Sequence, residues 1–213
     1  LWGLHEIGEK PARVPDVNAI ASVLAQAMGV TNVRWINDDI VGSPPGLMLD
    51  LGGIAKGAIL EDCAALLAEL DIDNAIINLG GDLTVTGDVD GRPAIIGIQS
   101  PFEDEAIASA TIAAGETIVS SGDYERFVEI DGERFSHILN PRTGYPVQHT
   151  SSVTVIHTDP MLADAAATAL MVGGPEEFDQ LVEALGLEFA LLIDQSGDLS
   201  LTEAMDLRLN WLN

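Results

Sequence analysis

NAIINLGGDLTVTGDVDGRPAIIGIQ, residues Asn74–Gln99, is the stretch on which the fold class turns. It divides into three short β-rich runs, NAIINL, DLTVTG and AIIGIQ, bounded by Gly, Pro, Asp or Asn, the pattern of strands rather than of helices. Asp90-Gly91 sits between the second and third run, and such a dipeptide between strand patterns is a strong hairpin signal. Downstream come IASATIA and ETIVSS, then YERFVEI and ERFSHIL as arms of a second hairpin about Asp131-Gly132. SSVTVIH follows, then helical spacing over Met161–Val172 and Pro175–Leu185, and a last hairpin, FALLID and LSLT, around QSGD. Upstream, Asp16 caps a helix whose stripe is Val17, Ile20, Ala21, Leu24 and Met28, ended by Gly29. VRWIN and LMLDLG read as strands separated by the turn VGSPPG, and a helix runs from Ile54 to Leu70. Hairpins mixed with helices predict an α+β fold, mixed or antiparallel sheets with packed helices, rather than a doubly wound parallel sheet.

The 213 residues, 47% hydrophobic, suffice for one core. The net charge of −25, 34 acids against nine bases, repels nucleic acid and anionic membrane surfaces. No uninterrupted apolar run is long enough to span a bilayer. Cys63 stands alone in a helix pattern and reads as a small buried thiol, so cysteine-based zinc sites and internal disulfides are excluded. The histidines at 5, 137, 149 and 157 include no helical pair spaced for zinc.

Four segments concentrate chemistry. In LDLGGIAKGAILED (Leu49–Asp62), Gly52-Gly53 precede a helix and Lys56, one of only two lysines, falls in its first turn. A phosphate could approach the backbone N–H groups there, or the segment is a tight corner with a solvated lysine; P-loop spacing is absent. Gly80-Gly81 followed by Asp82 is either a close approach to a ligand or a strand corner. SSGDYERF and FSHILNPRTGYP gather Ser120, Ser121, Asp123, Tyr124, His137, Asn140, Arg142 and Thr143. Alternation puts His137 on a face with Phe135 and Leu139, where a core histidine bonded to a neighbour is the plain alternative to a functional one. In ADAAATAL, Asp164 and Thr168 share one helix face. They suit a hard cation such as Mg²⁺, or Asp164 bonds backbone N–H groups while Thr168 bonds its own helix.

In this order, LDLGGIAKG, NLGGDL, SSGDYERF, SHILNPRTGYPV and ADAAATAL resemble the FAD:protein FMN transferases, the ApbE family once called thiamine biosynthesis lipoproteins. The resemblance runs from LWGL to the last hairpin. It implies transfer of FMN from FAD to a threonine hydroxyl of an acceptor protein, an electron-transfer subunit, with release of AMP and a requirement for Mg²⁺. By the same resemblance, Asp164, Thr168 and the carbonyl of Ala55 would hold the metal, and Lys56 would lie near the pyrophosphate. His137 would handle a proton or position the cofactor, and Asp123 is the other candidate base. Gly52, Gly53, Glu61, Gly80, Gly81, Ser121, Gly122, Tyr124, Arg142 and Thr143 are the remaining candidates for the flavin nucleotide. Where the family favours GYAVD after the lysine this chain has GAILED, so Ala58 takes the tyrosine position and Glu61 the aspartate position. SSG replaces the commoner TSG, and Asn140 stands where Asp is frequent. Members usually carry a further segment before LWGL that contributes to flavin binding, so the resemblance implies one domain, 1–213, incomplete at its N-terminus. It also implies an extracytoplasmic, often membrane-anchored setting. A Mg²⁺-dependent FAD pyrophosphatase and a flavin-binding module without turnover are the alternatives.

Overall fold

The computed structural model describes residues 2, 13–26, 29, 32–36, 39–42, 45–124 and 126–212. Its centre is a six-stranded sheet built from β3 (Ile76–Leu79), β4 (Asp82–Val85), β7 (Glu116–Gly122), β10 (Thr150–His157), β11 (Phe189–Asp194) and β12 (Leu199–Leu201). Their order is β12-β11-β10-β7-β4-β3, and every pairing is antiparallel. A second sheet orders β13 (Leu209–Trp211), β6 (Ala106–Ile112) and β5 (Ala94–Gln99). Hairpins β1 (Arg34–Ile36) with β2 (Asp39–Gly42), and β8 (Phe127–Ile130) with β9 (Glu133–Ser136), stand apart from both. Each expected strand from Asn74 to His157 is present. Asp131 and Gly132, with positive φ, join β8 to β9 as expected. Asp90 and Gly91 have the same conformation but close only a Val89–Arg92 bridge, and the strands on either side, β4 and β5, lie in different sheets.

The central sheet is covered on both faces, which explains why β10 is buried at seven successive residues instead of alternating. One face carries Val119, Val153, Val155, Ala190 and Leu192 against Ala163, Ala166, Ala167, Leu170 and Met171 of the helix α3 (Pro160–Leu185). The other carries Val85, Ile118, Ile156, Leu191 and Ile193 against Ala108, Ala110 and Ile112 of the small sheet. Met205 of α4 (Glu203–Arg208) fills the same side.

The two helices expected at 161–185 are present within α3, meeting at a kink at Gly174, whose φ of 69° lies outside helical space, with Pro175 beyond it. Asp159 caps the start of α3 by accepting from the Leu162 N–H at 2.9 Å. Asp16 caps α1 (Val17–Leu24) as expected, but that helix stops at Leu24, before Gly29, and Met28 lies outside the described residues. Two further expectations fail. LMLDLG is not a strand: Asp50 accepts from the Gly52 N–H at 2.8 Å, folding the chain into a local turn, and Met48 is 89% exposed. Strand β9 stops at Ser136, so His137 sits half-buried in the bend beyond it and not in the alternating core face. Cys63 is likewise only half-buried on α2 (Ala55–Glu69). Among the described residues no helix is long and apolar enough to cross a membrane.

Candidate metal and nucleotide site

Helix α2 begins without a side-chain cap of its own, which leaves orphan N–H groups at its positive end. Leu51 O accepts from Ala55 N at 2.9 Å, and the Gly57 N–H is taken by Oδ2 of Asp164, 2.9 Å away on α3. A carboxylate 2% exposed thus caps another helix. One turn along α3, Thr168 Oγ1 faces Gly53, where an added Cβ would stand only 3.1 Å from it. Asp164 and Thr168 therefore address the same short segment, Gly53–Gly57, with Ala55 between its ends. The glycines permit this approach: a Cβ at Gly57 would lie 2.3 Å from the Pro160 carbonyl oxygen.

Of the two readings of Asp164 and Thr168 drawn from the sequence, the hydrogen-bonding one is what the structure shows. Asp164 does bond a backbone N–H, and Thr168 Oγ1 lies 3.4 Å from the Asp164 carbonyl of its own helix. Asp164 Oδ1 keeps its acceptor capacity. Among the described residues no three His, Cys, Asp or Glu side chains gather into a cage. The carboxylate and the hydroxyl are an all-oxygen, incomplete donor set. That set fits Mg²⁺, which keeps waters and phosphate oxygens among its ligands.

The same corner contains a residue absent from the site expected on sequence grounds. Asp82, at the start of β4 and 1% exposed, receives Lys56 Nζ at 2.5 Å on Oδ2 and the Ser120 N–H at 3.2 Å on Oδ1. Burial pushes its carboxyl above the ordinary value, Lys56 and Ser120 pull it down, and the charge of Asp164 adds to the rise. The available signals were a carboxylate directly after two turn glycines and the scarcity of lysines. Lys56, its side chain 35% exposed, is thus held by a buried carboxylate.

The other candidates distribute differently. Gly80 and Gly81 form the β3–β4 turn with φ of 62° and 99°, and an added Cβ would meet nothing within 4 Å. Their backbone conformation accounts for glycine there. Gly52 closes the Asp50 turn, and Glu61 is exposed on α2. Gly122 is buried under the Tyr124 ring, which a Cβ would strike, and Ser121 pairs with Val153 across β7 and β10. Asp123 accepts from Gln195 Nε2 at 2.6 Å and lines a separate recess of about 230 Å³ with Arg134, Ser136 and Ser151. None of Lys56, Asp82, Asp164 or Thr168 lines that recess. Burial lifts the Asp123 carboxyl, against the pull of Gln195 and Arg134. His137 Nδ1 lies 3.0 Å from the Arg126 carbonyl oxygen. A carbonyl only accepts, so Nδ1 carries hydrogen and, in the neutral ring, Nε2 carries the lone pair.

Arg142 and Thr143 are engaged within their own turn and its support. Thr143 Oγ1 accepts from Tyr145 N at 3.2 Å. The Arg142 guanidinium grips both oxygens of Glu177, at 2.5 and 2.7 Å, beyond the Gly174 break from Thr168. The hydrogen-bonded guanidinium holds the Glu177 carboxyl below its ordinary value. A depressed carboxylate stabilises the fold above its unfolded pKa and loses that contribution as pH falls through the folded value. An Arg142→Gln variant is therefore expected to lose a little thermal stability at neutral pH. The loss should shrink in high salt and disappear in acid, because both groups are exposed and screened.

A model described as the ApbE family matches residues 1–191. The chain belongs to the ApbE family. An FAD:protein FMN transferase of Rhodobacter capsulatus is 36% identical over 208 residues, 98% of this chain and 40% of that protein. One from Escherichia coli K12 is 32% identical, over 93% of this chain and 58% of its own length. The chain thus spans about half the length of such ApbE relatives. Among solved structures, the ApbE protein of Thermotoga maritima superimposes with a TM-score of 0.86 at 31% identity, covering 96% of this chain and 69% of that one. The apo flavinyl transferase ApbE of Pseudomonas stutzeri gives a TM-score of 0.77 at 30% identity, covering 93% and 62%. The α+β architecture is therefore the ApbE architecture, and the corner between α2, α3 and β4 lies within the matched residues.

Proposed function

We propose that this chain carries the metal and nucleotide corner of an enzyme that transfers FMN from FAD to a threonine hydroxyl of an acceptor protein. The observation that carries this is the convergence of Asp164 and Thr168 on the Gly53–Gly57 segment of a positive helix terminus. In the reaction the threonine Oγ forms a bond to the FMN phosphorus, the pyrophosphate P–O bond breaks, and AMP leaves. Asp164, Thr168 and the Ala55 carbonyl would hold Mg²⁺, which when bound neutralises charge on the phosphates. The α2 N-terminus places positive potential at the same corner, where Lys56 is held by Asp82. His137 and Asp123 are the two candidate bases for the threonine proton. The setting that goes with this reading is extracytoplasmic.

The test is incubation with FAD, Mg²⁺ and an acceptor domain bearing a target threonine, on a chain carried to the relatives' length. Acceptor-bound flavin with AMP in equal amount is expected, and its loss on chelation with EDTA. FMN and AMP without an acceptor would reassign the corner to hydrolysis. FAD binding with no product would reduce it to a flavin-binding module.

A further inference from the structure

We propose that Asp82 is a positioning residue, a buried carboxylate that gives Lys56 a partner of its own and so keeps the ammonium off Asp164. This rests on the reading of Asp164 and Thr168 as a cation site. Lysine ends a flexible four-carbon stem, and Lys56 starts from the first turn of α2, where Asp164 already reaches the Gly57 N–H. Left unpaired, the ammonium would be drawn to that carboxylate and would compete for the place of a metal ion. Asp82 prevents this geometrically. The Ser120 N–H clamps one of its oxygens at 3.2 Å to β7, and the other takes Lys56 Nζ at 2.5 Å. The carboxylate cannot follow a wandering lysine, so the lysine is fixed to it.

Charge accounting gives the same result. Asp82, Asp164 and Lys56 together leave one net negative charge beside the helix terminus, assigned to the carboxylate that Lys56 does not hold. Burial of Asp82 makes the arrangement durable, because an uncompensated carboxylate there would be costly. The residue pair spans β4 and α2, so only the folded chain makes it.

Asp82→Asn tests the idea, since the amide keeps a similar shape and an oxygen for the Ser120 N–H but loses the charge. Two readouts need no turnover. Modification of Lys56 by an amine reagent, followed by mass spectrometry against Lys10, the only other lysine, should rise severalfold. Mn²⁺ affinity should fall by about tenfold or more, as when a ligand's supporting partner is removed. The deciding result is rescue. Asp82→Asn with Lys56→Met should bind Mn²⁺ at least about threefold more tightly than Asp82→Asn alone, a coupling of the size neighbouring charges show. A purely structural role for Asp82 gives a double variant as weak or weaker, and that outcome overturns the proposal, as does unchanged Lys56 labelling. If the parent chain binds no Mn²⁺, the cation-site reading fails by itself. The labelling arm then still decides whether Asp82 holds Lys56.

Discussion

Asp164→Asn is expected to fold as the parent does and to lose cation-dependent turnover by at least about a hundredfold, since a metal at a phosphoryl centre supplies several kcal/mol. The two halves of this expectation come from the two jobs of one carboxylate. Its Oδ2 accepts from the Gly57 N–H, and an amide oxygen does this equally well, so the start of α2 stays capped. What asparagine removes is the charge, the only one among the three proposed metal donors. Asp164→Ala removes both, and should also lower stability by about 1–3 kcal/mol, the cost of leaving a buried N–H without a partner. Mn²⁺ binding, AMP release and thermal unfolding, measured on both variants, separate the roles. Full metal-dependent turnover in Asp164→Asn would remove the corner from the reaction.

Gly57→Ala should destabilise the protein by about 3 kcal/mol, the upper end of the overpacking range. On an exposed helix the same change stabilises by about 1 kcal/mol, so even the sign is diagnostic. The difference is the neighbour. A Cβ at 57 would lie 2.3 Å from the Pro160 oxygen and 2.6 Å from Met161 Cα. Both are backbone atoms at the start of α3 and cannot rotate aside. The helices must separate, which also draws Asp164 from the Gly57 N–H and Thr168 from Gly53, so Mn²⁺ affinity should drop with stability. Urea denaturation together with a Mn²⁺ titration checks both. A variant as stable as the parent would mean that α2 and α3 do not meet at this residue in solution.

Much of the fold was legible because its signals are local. Asp131-Gly132 announces a hairpin through the backbone angles it tolerates, and Asp16 marks a helix start through its own side chain. Asp90-Gly91 marks a turn equally well, but not that the strands around it join different sheets. The break before Pro175 is equally local. LMLDLG misled because an apolar run says nothing about whether a core is there to receive it, and Asp50 offered the backbone a closer partner. For His137 the alternation pattern was extended past Ser136, where the strand had already ended.

The metal candidates Asp164 and Thr168 could be paired from the sequence because one helical turn puts them on one face, whatever else the chain does. Which segment they face was settled by packing, where Gly53 and Gly57 let α2 come against α3. Asp82 shows the boundary most clearly. Its clamp comes from Ser120 and its cation from Lys56, each 26 residues or more away along the chain. The pairing of β4 with β7 and the seating of α2 over them bring the three together. Residue type and spacing determined which groups were available to do chemistry. Only tertiary structure decided which charge each would meet, because electrostatic partners are set by distance through space.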